Sequence, residues 1–116
     1  FAAGRNNTTT ARGIGKLLVA LERGEAASAW ATIAMRETLL RQEFNEEIPA
    51  GLPPGTRVAH KTGWITATTH DAAIVYPRGR APFVLVILTR AIPERAVAQR
   101  LMADLARIAW NDVTTR

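Results

Sequence analysis

The sequence predicts an α+β fold in which a three-stranded antiparallel sheet packs against helices. Three observations carry this. Apolar residues recur at helical spacing over residues 9–23, over 28–41 and again from 93 onward. The period changes to that of strands between residues 58 and 90. The links between the strand segments are short, which favours an antiparallel meander over parallel crossovers.

The first helix is expected from about Thr9 to Arg23, with Ile14, Leu17, Leu18 and Leu21 on one face. Asn7, Thr8, Thr9 or Thr10 can accept its orphan amide hydrogens, and Gly24 can supply a left-handed stop. Gly13 and Gly15 each cost ~1 kcal/mol relative to alanine, so they point to close contact with another backbone or to a weak first turn. The second helix is expected from Ser28, a good N-cap, to about Arg41, with Trp30, Ile33, Ala34 and Leu40 on its apolar side. The short GEAA link makes the two helices neighbours. In residues 42–57, QEFNEEIPAGLPPGTR, three prolines and two glycines stop regular structure, while Phe44, Ile48 and Leu52 can pin the segment to the core.

Residues 58–64 (VAHKTGW), 71–76 (DAAIVY) and 83–88 (FVLVIL) read as strands. PRGRAP is a turn in which Gly79 can take positive φ. FVLVIL is apolar throughout, so both of its faces are expected to be covered. The last helix starts near Pro93 and Glu94, and Val97, Leu101, Leu105 and Ile108 form its stripe. Trp30 and Trp110 are expected in the core.

Composition narrows the possibilities. The 116 residues make one small domain or part of a larger one. With 47% apolar and 22% charged residues the chain has enough oil for a core. No run reaches the ~18 apolar residues of a membrane-spanning helix. Without cysteine there is no disulfide framework, no thiol nucleophile and no thiolate metal site. The net charge is +5: residues 1–57 hold seven Lys/Arg against six Asp/Glu, and residues 58–116 hold eight against four. The arginines are scattered, so an anionic small substrate suits this excess better than nucleic acid. Phe1 opens no recognisable leader, and FAAGRNNTTTA reads as the end of a longer loop, so a processed or truncated chain is expected.

His60-Lys61-Thr62-Gly63 is the sharpest local feature. Lys61 and Gly63 fall on one side of the pleat and Thr62 on the other. A glycine on a strand lets a ligand lie against the backbone, and the lysine supplies a positive field for a carboxylate and for proton transfer from a nearby hydroxyl. The same residues fit an ordinary edge strand with a solvated lysine. His70 opens the second strand and can face the cleft beside Lys61, or it can be a surface histidine paired with Asp71. His60 reads as a packed core histidine. No third ligand accompanies the two histidines, so no zinc site and no cofactor are expected. Trp64 either walls the cleft or packs the hairpin. Glu43, Glu46 and Glu47 have the spacing of a carboxylate cluster but read as a solvated loop face, and Arg107 and Arg116 read as solvated.

AHKTG, after a GLPPGT turn and before a hydrophobic hairpin, resembles class A β-lactamases and related serine hydrolases, of which the KTG triad is a signature. NTTTARGIGKLL is similar to the helix that follows the omega loop in that family, and HDAAIVYP, PFVLVILT and the terminal amphipathic helix continue the match. The resemblance implies that residues 1–116 are the C-terminal part of such a domain. Residues 1–57 would be a helical segment with its connecting loop, and residues 58–116 the meander and terminal helix. It implies that Lys61 helps bind the substrate carboxylate and poises the proton network. Thr62 would hydrogen-bond that carboxylate, and Gly63 would let substrate pass close to the strand. The Trp64 backbone amide would be an oxyanion donor, and His70 would stand where many members place a carboxylate-binding arginine. It also implies a periplasmic or secreted protein.

No Ser-x-x-Lys and no Ser-Asp-Asn is present; Ser28 is the only serine. The nucleophile is therefore expected from an N-terminal portion, in the same polypeptide or as a separate chain, and this chain alone is expected to be inactive. In the family, two further strands from that portion pair beside FVLVIL, which would otherwise be an open edge. Asn7 stands where the family usually keeps an aspartate of a buried ion pair. Asn7 and His70 leave room for a penicillin-binding or esterase-like relative that turns over β-lactams poorly. A non-enzymatic domain that binds an anion or a peptide on the KTG strand is the third reading, and it requires a sheet closed by these residues alone.

Overall fold

A computed structural model describes residues 7–116. Most of the FAAGRNNTTTA opening lies outside the described residues. The order is α1 (Ala11–Glu22), α2 (Ala29–Leu40), a 3-10 turn (Ile48–Gly51), β1 (Arg57–Ile65), β2 (Thr68–Tyr76), β3 (Phe83–Leu88) and α3 (Arg95–Thr114). The sheet is antiparallel in the order β1-β2-β3, as the α+β reading requires.

The helix signals act as their chemistry predicts. The Thr10 hydroxyl caps α1 by accepting from the Gly13 amide at 3.0 Å, and Ser28 caps α2 by accepting from the Ala31 amide at 3.2 Å. At the end of α1, Gly24 takes φ +73°; its amide donates to Leu21 and the Glu25 amide to Ala20, the two bonds of a Schellman stop. Gly15 meets only a Val86 methyl, at 3.9 Å from where its Cβ would sit, so no backbone crowds that helix. β2 begins three residues earlier than the sequence suggests. Thr68 and Thr69 take extended backbone, as β-branched residues favour, and only Thr66 and Ala67 remain as the turn.

Register separates the side chains into two faces. Val58, His60, Thr62 and Trp64 of β1 share one with Ala73, Val75 and Asp71 of β2 and Ile87 of β3. Ile48, Leu52, Met102 and Ala106 cover that face and complete the larger core. Each fully buried large side chain there contributes ~1.5–3 kcal/mol. Gly51 makes the approach possible: an added Cβ would lie 1.9 Å from the Ala103 carbonyl oxygen on α3. The opposite face carries Ala59, Ile74, Val84 and Val86 and is covered by Leu18 and Leu21 of α1.

Three expectations need correction. The stripe that α3 buries is Ala98, Met102 and Ala106, whereas Val97, Leu101, Leu105 and Ile108 are exposed. Small residues bring this helix close, and its larger residues face outward beside them. Trp30 is 80% exposed and Ile33 56%, because α2 packs through Thr32, Leu39 and Leu40 instead. β3 is an edge strand, as expected of FVLVIL without further strands, and both of its faces are covered: Phe83, Leu85 and Ile87 pack on the α3 side and Val84 and Val86 on the α1 side. Glu47 does not face solvent: it is fully buried, accepts from Gln99 Nε2 at 3.1 Å and lies 3.8 Å from Arg95.

Candidate functional site

β1 is the other edge of the sheet; Lys61, Thr62, Gly63 and Trp64 lie along it, and His70 lies beside them on β2. The hairpin closes on the Ile65–Thr68 pair, so Ile65, Gly63 and Lys61 direct their backbone groups toward β2. Thr62 and Trp64 then direct their amides and carbonyls to the free edge. Gly63 pairs with His70 and Lys61 with Ala72, so Lys61, Gly63 and His70 share the α1 face. Lys61 is exposed, and its ammonium donates to the Thr62 carbonyl. An added Cβ at Gly63 would meet nothing within 4 Å, so an open wall lies beside the strand. Thr62 is buried on the opposite face. An open depression of about 470 Å³ adjoins this edge, lined in part by Arg41, Gln42, Phe44, His60 and Lys61.

The two histidines are on opposite faces and do opposite things. His70 Nδ1 accepts the Thr89 amide at 3.2 Å. That amide hydrogen is shared with the Thr69 carbonyl at 3.0 Å, and an accepting Nδ1 leaves Nε2 as the ring's donor. Asp71 is not its partner, which corrects the pairing considered from sequence. Asp71 projects from the other face, where His60 Nδ1 lies 2.9 Å from its carboxylate and the Ile48 amide donates to its second oxygen. His60 is buried, as expected of a core histidine.

Trp64 lies on the α3 face of β1, partly exposed, between residues of two other elements. The Phe44 ring meets it edge-on at 5.2 Å, and the Arg95 guanidinium stacks 3.7 Å from its centroid. Sequence reasoning missed Arg95, Asn45 and the position of Phe44. Their contacts span 15 to 31 positions, and no local pattern announces them. Asn7 is exposed in the coil before α1.

A β-lactamase from Bacillus amyloliquefaciens is 41% identical over 71 residues, covering 60% of this chain and 23% of that protein. One from Streptomyces fradiae is 31% identical over 111 residues, covering 93% of this chain and 36% of its own length. The structure of PBP-A superposes with a TM-score of 0.87 at 25% identity, covering 96% of this chain and 42% of that one. The chain thus spans well under half the length of these relatives. The beta-lactamase enzyme family matches residues 1–113, and the chain belongs to that family.

Proposed function

We propose that this chain is the C-terminal part of a class A β-lactamase-like domain, and that the intact protein hydrolyses β-lactams through a serine acyl-enzyme. The single observation that carries the reading is the free edge of β1. There Lys61 and His70 flank an unobstructed Gly63 on one face, and the Trp64 amide points outward. In this reaction a serine oxygen from outside the chain attacks the lactam carbonyl. The C–N bond breaks, the nitrogen takes a proton, and water then cleaves the ester. The Trp64 amide donates to the developing oxyanion. Lys61 offsets the negative charge of the substrate carboxylate and of the proton network, His70 donates to that carboxylate, and Thr62, its side chain buried on the other face, offers it the backbone amide at the free edge. The exposed faces of α2 and α3 and the unpaired side of β3 support a missing N-terminal portion that covers them, and the family supports export to the periplasm or beyond the cell.

The test is mass spectrometry of the intact protein after mixing with penicillin. A transient adduct on a serine with product release is expected; neither adduct nor turnover would overturn the reading. The 116-residue chain alone is expected to leave a chromogenic β-lactam intact. One observation favours a penicillin-binding relative: a histidine, His70, stands where many members place an arginine, and it holds a carboxylate less tightly. A stable adduct that does not turn over would establish that alternative. The binding-domain reading is weaker, because β3 is left as an open edge.

A further inference from the structure

We infer that His60 is held as a buried imidazolium and is a positioning residue for the Trp64 end of β1. The hydrogen bonds around it leave no neutral tautomer satisfied. Nδ1 lies 2.9 Å from the Asp71 carboxylate, and Nε2 lies 3.0 Å from Asn45 Oδ1. The Asn45 amide cannot be reversed, because its Nδ2 already donates to the carbonyls of Gln42 and Glu43, each at 3.2 Å. Reversal would set Oδ1 against two carbonyl oxygens. Both ring nitrogens therefore face acceptors, and both must carry protons. A neutral ring would place a lone pair against Asp71 or against Asn45.

The charged groups around the ring agree. β2 offers Asp71, whose other oxygen accepts the Ile48 amide at 3.1 Å, so the ion pair is hydrogen-bonded on both sides. On the connecting segment, Glu43 and Arg41 line the neighbouring depression. Glu47 is directed to Gln99 and Arg95 of α3, and Lys61 projects from the other face of β1.

The consequence reaches the site through Asn45. Its two bonds to Gln42 and Glu43 hold a turn that the Gln42 carboxamide also clamps, accepting the Glu43 and Phe44 amides. That turn presents Phe44 to the Trp64 ring. Without the second ring proton Nε2 has no bond to offer Asn45, and the turn and Phe44 lose that anchor.

The test labels the histidines of the intact protein with ¹⁵N and reads their ring nitrogens by NMR. Two protonated nitrogens at His60 at neutral pH are expected, against one at His70. A single protonated nitrogen at His60 overturns the inference. This measurement is independent of the reaction. The kinetic arm rests on the acyl-transfer reading above. His60→Gln is expected to slow acylation by about tenfold, Asn45→Ala to slow it as much, and Asn45→Asp, which keeps an acceptor at Nε2, to leave it within about twofold. Acylation that none of the three variants alters, or that Asn45→Asp slows as much as Asn45→Ala, would assign His60 a purely structural role. If His60→Gln does not fold, the Asn45 pair and the ring-nitrogen measurement still decide.

Discussion

The α3 side of the sheet and the Gly63 end of its other face contrast in almost every physical respect. The α3 side is closed. Met102, Ala106 and Ile48 fill it, and the charges of Asp71 and His60 meet partners there. At Gly63 the strand edge is bare, the lysine is exposed, and the space where a side chain would stand is open. Two glycines summarise the difference. Gly51 is present because a carbonyl lies where its side chain would go, and Gly63 stands where nothing in the described residues does. The same residue type thus serves packing in one place and access in the other, and only the surroundings tell which.

The largest expected effect is at the open end. Lys61→Ala in the intact protein should slow acylation by ~10²–10³-fold, as loss of one electrostatic contact to the transition state does. Thermal unfolding should stay nearly unchanged, because Lys61 is solvated. A comparable loss of stability would show that Lys61 belongs to the packing and break the contrast.

The paired alanine substitutions sharpen it. Gly51→Ala should cost ~1–3 kcal/mol, since the added methyl overlaps α3 backbone that cannot give way. Gly63→Ala should cost less than ~1 kcal/mol, with acylation slowed about tenfold by the narrowed cleft. Urea unfolding and single-turnover kinetics measure both, and equal losses of stability would erase the distinction.

The smallest effect tests the α1 side. The Tyr76 hydroxyl donates to Glu22 at 2.6 Å, and Arg36 pairs with the same carboxylate at 3.2 Å. Burial, then this hydrogen bond and the Glu22 charge, push the phenol up to about 12 from 10.0. The folded chain holds that proton more tightly than the unfolded one. The stabilisation is therefore complete below pH 10.0 and fades as pH rises through about 12. Ultraviolet titration of the phenolate should show this, and Tyr76→Phe should cost ~1 kcal/mol at neutral pH. Ionisation of Tyr76 at the ordinary pH would remove the buried contact from the account.

Local chemistry was legible in the sequence. Thr10, Ser28 and Gly24 announce helix ends because caps satisfy backbone groups within three or four residues. The strands and the Lys61–Gly63 pattern were legible through their period of two. What escaped was whatever depends on distance in the chain. The Val97 and Ala98 stripes of α3 lie side by side, and only the close approach at Gly51 decides which one faces the sheet. The Trp30 face has the composition of a core without being one among these residues. In the candidate site, Lys61, Thr62, Gly63 and Trp64 were found as one run. Arg95 and Asn45 approach from other elements and carry no mark of it in their own neighbourhoods.

The sheet follows the chain in simple order, with connections of two residues, Thr66–Ala67, and of six, Pro77–Pro82. Partners in space are therefore neighbours in sequence, and little entropy is spent on closing either loop. Hairpins of this kind zip in about 1–10 μs. A nascent chain leaving the ribosome needs to expose only Arg57 to Leu88 before the meander can register, and α3 can seal its lower side as soon as it follows. The edge bearing Lys61 is then assembled early.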